Sequence, residues 1–464
     1  MPKSLPTSPS LEHLKNEAKA ILKSVKDQDV SVCSTLRNLH FLQKKTDSEI
    51  LNSKLKLTDC QFAVAIKYGF TSWNAMKQFI ENQTNADKLS SQLILEAIAR
   101  KASDIHLDWN AKAPHIKLRI DGRLQDPETR ITGTTSAVID EFKVVAGLDV
   151  NIKDQPQRGM ARFKIHGKSV NMRVSAISCV SGESLVIRIF DDSSTKFSLE
   201  QMGFNQAQSI TVHKWLNSPN GIIIFSGPTG SGKTTTMYSA LREFDPNKHK
   251  ILTVEDPVYQ IIDGISQLQV QPEKGITYEK AVQTLMYQDP DVIMVGECID
   301  QNVLQQICSA ALTGHLILTQ IHADNTAHVL KRLLDMGGDP YTLNSCITGI
   351  MSQRLVRKIC RDCKEEYKPE EWAKNSLPID NDILYRGKGC KKCNHTGYRG
   401  RIAIYEMLEL NNEIRSALAG NFSFDDLKQL VSQSGISSVR QDGLNKVAQG
   451  LTTIDEVLRV CTSN

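Results

Sequence analysis

The spacing of apolar residues changes along the chain, and each change predicts a different kind of element. Behind Ser8-Pro9, a plausible cap and first-turn pair, Leu11, Leu14, Ala18, Leu22 and Val25 recur at helical spacing. A second helical segment runs from Asp59 to Tyr68 and can stop at Gly69, and a third carries Trp73, Met76, Phe79 and Ile80. Residues 1–83 therefore read as a small helical module, followed by a polar linker over Glu81–Lys88. In the next region, 89–192, the stretch SQLILEAIARKA is helical in period, and SDIHLDW and IKLRI then alternate with period two. Asp121-Gly122 punctuates as a turn, ARFKI and VNMRVSAIS flank His166-Gly167-Lys168 as a hairpin, and SLVIRIF adds another strand. That is an α+β pattern.

From about Ser198 short apolar runs alternate with helical ones, which predicts α/β architecture with a parallel sheet over 198–355. The runs GIIIFS, ILTV, DVIMVG and HLILTQ each end in polar residues: the loop from Gly227, then Glu255-Asp256, then Glu297, then His322. Parallel strands bring those four ends to one edge of the sheet, where nucleotides bind. The first end is the most informative. Gly227, Pro228, Thr229, Gly230, Ser231, Gly232, Lys233 and Thr234, with Thr235 after them, lie between a strand and a helical run. Backbone N–H groups at Gly230 and Gly232 can wrap a triphosphate, Lys233 supplies a point charge, and the Thr234 hydroxyl can ligate Mg²⁺. One carboxylate nearby could be a helix cap; two acidic sites and a histidine beside such a loop argue for positioning Mg²⁺ and water.

Composition narrows the class. The 464 residues carry a formal charge of +4 that is not gathered in one block, so nothing demands a nucleic-acid partner. No run approaches 18 uninterrupted apolar residues, so we expect a cytoplasmic protein whose membrane association comes only through partners. Of 11 cysteines, Cys360, Cys363, Cys390 and Cys393 form two C-x₂-C knuckles that can close a tetrahedral shell around a structural Zn²⁺. The region 356–464 thus reads as a zinc-binding and helical subdomain.

From about Leu93 to the C-terminus the chain resembles the secretion ATPases that drive type II secretion and type IV pilus assembly. The segments ASDIHLD, RIDGRL, FKVVAGLDV, GESLVIRIF, GPTGSGKTTT, TVEDPV, DPDVIMVGE, TGHLILTQIH, QRLVRKIC and GCKKCNHTGYRGRIAIYEML carry the match. The resemblance implies a RecA-like motor domain preceded by a smaller PAS-like domain and assembled as a hexamer. It implies ATP hydrolysis with Mg²⁺ at the inner face of the cytoplasmic membrane, acting on a polytopic platform protein to build fibres of pilin-like subunits. By the same resemblance Glu255 and Asp256 lie in an acidic box, Glu297 is the Walker B glutamate, His315 and His322 form a histidine box, and Arg173 and Arg188 reach the phosphates. The cysteine pairs favour assembly over retraction motors, which resemble the motor but lack them.

Departures from the family pattern accompany the matches. Tyr259 stands where a second acidic-box glutamate is usual, Gln283 and Tyr287 replace two arginines, and Ile299 replaces a third. Turnover is therefore expected to be slow, and Tyr259→Glu to raise it if the missing acid limits chemistry. The resemblance leads us to expect residues 1–83 to substitute for the large platform-docking region that the family usually carries. Two other readings stay open here: a catalytically weakened partner in a mixed hexamer with an active paralogue, and a nucleic-acid translocase, for which the sequence shows no basic stripe.

Overall fold

The computed structural model describes residues 11–110, 113–129, 135–165, 168–190, 197–371, 383–420 and 423–461. They divide into two compact units, Met1–Phe190 and Asp191–Asn464. In the first unit, the helices Leu11–Lys26 and Leu57–Lys67 and the start of Trp73–Ala99 enclose Leu14, Ala18, Val25, Cys60, Val64 and Met76. Gly69, at φ 83°, follows the second helix as expected. The side chains of Phe79 and Ile80 lie outside the described residues. The stretch read as a linker is helical instead: Trp73–Ala99 runs through Glu81–Lys88, a segment with neither Gly nor Pro to break it.

The rest of this unit is a six-stranded antiparallel sheet of β1 (Ala102–Asn110), β2 (Ala113–Ile120), β3 (Arg123–Gln125), β4 (Gln157–Ile165), β5 (Lys168–Cys179) and β6 (Gly182–Phe190). Its order is β3-β2-β1-β6-β5-β4. Period-two alternation buries Ile105, Leu107, Leu118, Met172, Val174, Leu185 and Ile187 against Leu93, Ile94, Val138 and Phe142 of two helices. Asp121 and Gly122, with φ of 48° and 82°, make the expected tight turn between β2 and β3. Residues 166 and 167, the expected second turn, lie outside the described residues, but β4 and β5 pair antiparallel on either side of them.

The second unit is built on a seven-stranded sheet of β7 (Gly221–Ser226), β8 (Ile251–Glu255), β9 (Ser266–Gln269), β10 (Val292–Val295), β11 (Leu316–Ile321), β12 (Ile347–Ile359) and β15 (Tyr398–Leu408). Between the last two, β13 (Lys364–Tyr367) and β14 (Leu384–Gly387) form a separate hairpin. The order is β15-β12-β7-β11-β10-β8-β9, and only β15 runs antiparallel to its neighbour. Helices cover both faces, so β7 is buried along its whole length. Ile222, Ile224, Val254, Ile293 and Ile317 fill the core on one face, and Ile223, Phe225, Ile251, Met294 and Leu318 that on the other. The parallel order aligns strand ends. Ser226 stands opposite Ile321 and Ser352, and Val295 opposite Val254 and Thr319, so residues following these positions share one edge. Among the described residues no helix is long and apolar enough to cross a membrane.

Candidate functional site

The Gly-rich loop leaves β7 at Ser226 and enters the helix Lys233–Leu241, with Gly232 as its N-cap at φ 91°. Two glycines are required by their neighbours. A Cβ on Gly227 would fall 2.4 Å from the Gln353 carbonyl oxygen, and one on Gly232 would fall 2.7 Å from Gln353 Nε2. Lys233 is 5% exposed, and its Nζ donates to the carbonyls of Gly227 at 2.7 Å and Pro228 at 3.0 Å. Burial lowers its pKa to about 8; the Glu297 carboxylate opposes that shift and the Arg354 charge adds to it. The Ser231 hydroxyl is buried without a protein partner. A buried cation that borrows loop carbonyls, an orphaned hydroxyl and a helix N-terminus together fit a phosphate group.

The neighbouring strand ends add acid and imidazole. Glu297, just past β10, is half-buried, and its Oε1 lies 3.3 Å from His322 Nε2. The Nδ1 of the same ring lies 3.3 Å from the Gly227 carbonyl oxygen, so His322 ties the carboxylate to the start of the loop. Asp256 is exposed at the end of β8, whereas Glu255 beside it is 2% exposed and fully engaged. It accepts hydrogen bonds from Thr253 Oγ1 at 2.6 Å, Gln267 Nε2 at 3.0 Å and the Tyr238 hydroxyl. Burial pushes its pKa up against those bonds. Glu255 is placed as a strut, and the exposed Asp256 is the one free to face a metal.

His315 is not brought to this edge. It precedes β11 rather than following it, roughly 20 Å away at about 3.3 Å per residue, and its Nδ1 lies 2.8 Å from the Ala310 carbonyl oxygen. Tyr259 packs against the apolar cluster around Phe225 and Tyr238, and its N–H donates to the Tyr238 hydroxyl at 3.2 Å. Tyr287 and Ile299, at two of the substituted arginine positions, are exposed. In the first unit Arg173 and Arg188 are cross-strand partners on one sheet face. Arg188 Nε donates to the buried Asp104 at 2.8 Å, and Arg119 approaches the same carboxylate at 3.9 Å, which leaves three arginines to one acid in a row across β2, β1, β6 and β5.

Several residues at this edge are absent from the expectations drawn on sequence. Gln353 and Arg354 lie within β12 beside the loop; Gln353 donates to the Ser231 carbonyl at 2.8 Å and Arg354 to the Asp324 carbonyl at 2.7 Å. The Tyr278 hydroxyl lies close against Gly296, and burial followed by the carboxylates of Asp256 and Glu297 pushes its pKa up. The available signal was the polar stretch Ser352-Gln353-Arg354 between the apolar pairs Ile350-Met351 and Leu355-Val356.

The four cysteines converge at the base of the β13–β14 hairpin. Their sulfurs all lie within 4.8 Å of one another: Cys360 to Cys390 4.0 Å, Cys363 to Cys393 3.8 Å, and Cys390 to Cys393 3.8 Å. A tetrahedron with metal–sulfur bonds of about 2.3 Å has edges of about 3.8 Å, so the thiols are spaced to hold a metal ion. Asp362, with Lys392 and Arg399 beside it, ties the two knuckles together from outside.

Residues 80–459 match the family model described as type II/IV secretion system protein. The chain belongs to that family. It is similar to the type II secretion system ATPase E of Vibrio cholerae, 37% identical over 389 residues that cover 83% of this chain and 77% of that protein. It is also 37% identical to the type IV pilus assembly ATPase PilB of Thermus thermophilus over 382 residues, which cover 81% of this chain and 43% of that longer relative. Among solved structures, the pilus retraction motor PilT with bound ADP is superposable with a TM-score of 0.56 at 23% identity, covering 80% of this chain and 97% of that one. The Legionella pneumophila ATPase DotB gives 0.58 at 20% identity, covering 78% and 92%. These two likenesses bear on the fold of this type II/IV secretion family member and not on its partners.

Proposed function

We propose that this chain is an ATP-hydrolysing motor of type IV pilus or type II secretion machinery that powers assembly of pilin-like subunits. The observation that carries the reading is the edge where Lys233, Glu297 and His322 meet the Gly-rich loop, in a chain 37% identical to named secretion and pilus assembly ATPases. Backbone N–H groups of Gly230 and Gly232 hold the phosphates of ATP, and Lys233 exchanges its loop carbonyls for phosphate oxygens. Thr234 and Asp256 hold Mg²⁺, which when bound neutralises charge on the phosphates. Glu297 orients the attacking water, and His322 holds that carboxylate toward the loop. Residues 89–192 form a PAS-like domain that carries Arg173 and Arg188 on one sheet face.

The four cysteines hold Zn²⁺, a closed shell with no open position and hence a structural role. The assembly is a hexamer at the inner face of the cytoplasmic membrane, engaging a polytopic platform protein, with residues 1–83 as a docking or spacer module. Phosphate release by the purified protein with Mg²⁺-ATP tests the reading, with Lys233→Ala as control. Hydrolysis lost in the variant supports it, and a folded wild-type protein that releases no phosphate overturns it.

A further inference from the structure

The Gly-rich loop is held from beneath by one side chain. Gln353 is 2% exposed on β12, next to the strand that leads into the loop. Its Nε2 donates to the Ser231 carbonyl at 2.8 Å, and its Oε1 accepts from the Thr236 hydroxyl at 2.9 Å. Thr236 lies one turn into the helix, and its hydroxyl oxygen is also 3.2 Å from the Gly232 carbonyl oxygen. One amide therefore spans the junction between loop and helix. A trans peptide points its C=O and N–H in opposite directions, so turning the Ser231 carbonyl toward Gln353 turns the Gly232 N–H away from the strand. A Cβ on Gly232 would fall 2.7 Å from Gln353 Nε2, so a side chain there would displace the amide.

We propose that Gln353 is a positioning residue for nucleotide binding, acting through the Ser231–Gly232 peptide to aim the Gly232 N–H at the bound phosphates. The inference rests on the ATP-binding reading above. The adjacent Ser226 and Ser352 hydroxyls, 2.5 Å apart and buried, bridge the same two strands without touching the loop carbonyls. They provide the comparison that separates aiming the loop from merely joining strands.

The test is titration of the full-length protein with ADP and with a non-hydrolysable ATP analogue, together with steady-state hydrolysis and melting temperature. Gln353→Leu removes donor and acceptor. Gln353→Glu keeps the size and the Thr236 bond but sets a carboxylate against the Ser231 carbonyl. Each is expected to raise the nucleotide Kd and the KM by about tenfold or more, the worth of one charge-assisted hydrogen bond, with kcat within about threefold. Ser352→Ala should bind within about twofold of wild type. If Gln353→Leu fails to fold, Gln353→Glu decides by the same measure. Folded Gln353 variants that melt lower yet bind nucleotide as wild type does would overturn the proposal alone. A folded wild-type protein that binds neither nucleotide would overturn the ATP-binding reading and this proposal with it.

Discussion

Raising the pH from 7.5 to 9 should weaken nucleotide binding about eightfold, through Lys233 alone. Burial holds the pKa of Lys233 near 8 while its Nζ leans on two loop carbonyls. Bound phosphate restores a counter-charge, which returns the ammonium toward its ordinary pKa of about 10.4. The bound state therefore holds the proton more tightly than the free state, and affinity is lost as pH rises through the free-state value. With the free-state pKa near 8, roughly 76% of the free protein carries the proton at pH 7.5 and roughly 9% at pH 9. Their ratio gives the eightfold change, and phosphate ionisation adds nothing in this window because its own second pKa is about 6. Titration of ADP at fixed ionic strength reads the effect, and Lys233→Ala should bind weakly with no such slope. An affinity constant within twofold between pH 7.5 and 9 would refute the coupling between Lys233 burial and phosphate binding.

Metal analysis of the purified protein should find about one Zn²⁺ per chain, and Cys363→Ser should lower that content and loosen the C-terminal region to proteolysis while nucleotide still binds. A fully folded, zinc-free preparation would contradict the assignment. Tyr259→Glu should lower stability by about 1–2 kcal/mol in denaturant titration, because the ring packs against the apolar cluster and a carboxylate there loses that contact. A faster Tyr259→Glu enzyme would mean that the missing acid limits hydrolysis.

The parallel sheet and its working edge were legible because each strand is a short apolar run ending in a polar residue, and strand direction alone decides where such ends meet. Glu297, His322 and the Gly-rich loop came together for that reason. His315 shows the limit of the same logic: it lies in the same motif as His322 but on the other side of β11, so the strand separates them by its whole length. Glu255 and Asp256 were equivalent in sequence, yet one turns into the core toward Tyr238 and the other faces outward, a difference set by side-chain alternation and by partners remote in sequence. Gln353 was hidden for a related reason, since its partners Ser231 and Thr236 are more than a hundred residues away and only the pairing of β12 with β7 brings them together. The helix through 81–88 escaped because polar composition marks exposure as readily as it marks a linker.

The central claim is that chemistry occurs at the edge shared by Lys233, Glu297 and His322, and Glu297→Gln tests it most directly. Single-turnover hydrolysis and ATP affinity should be measured on the same preparation. The account predicts nearly unchanged affinity, because the loop donors and Lys233 are intact, with hydrolysis at least about tenfold slower, the signature of an interaction made mainly in the transition state. A Glu297→Gln protein that hydrolyses ATP at the wild-type rate would contradict it.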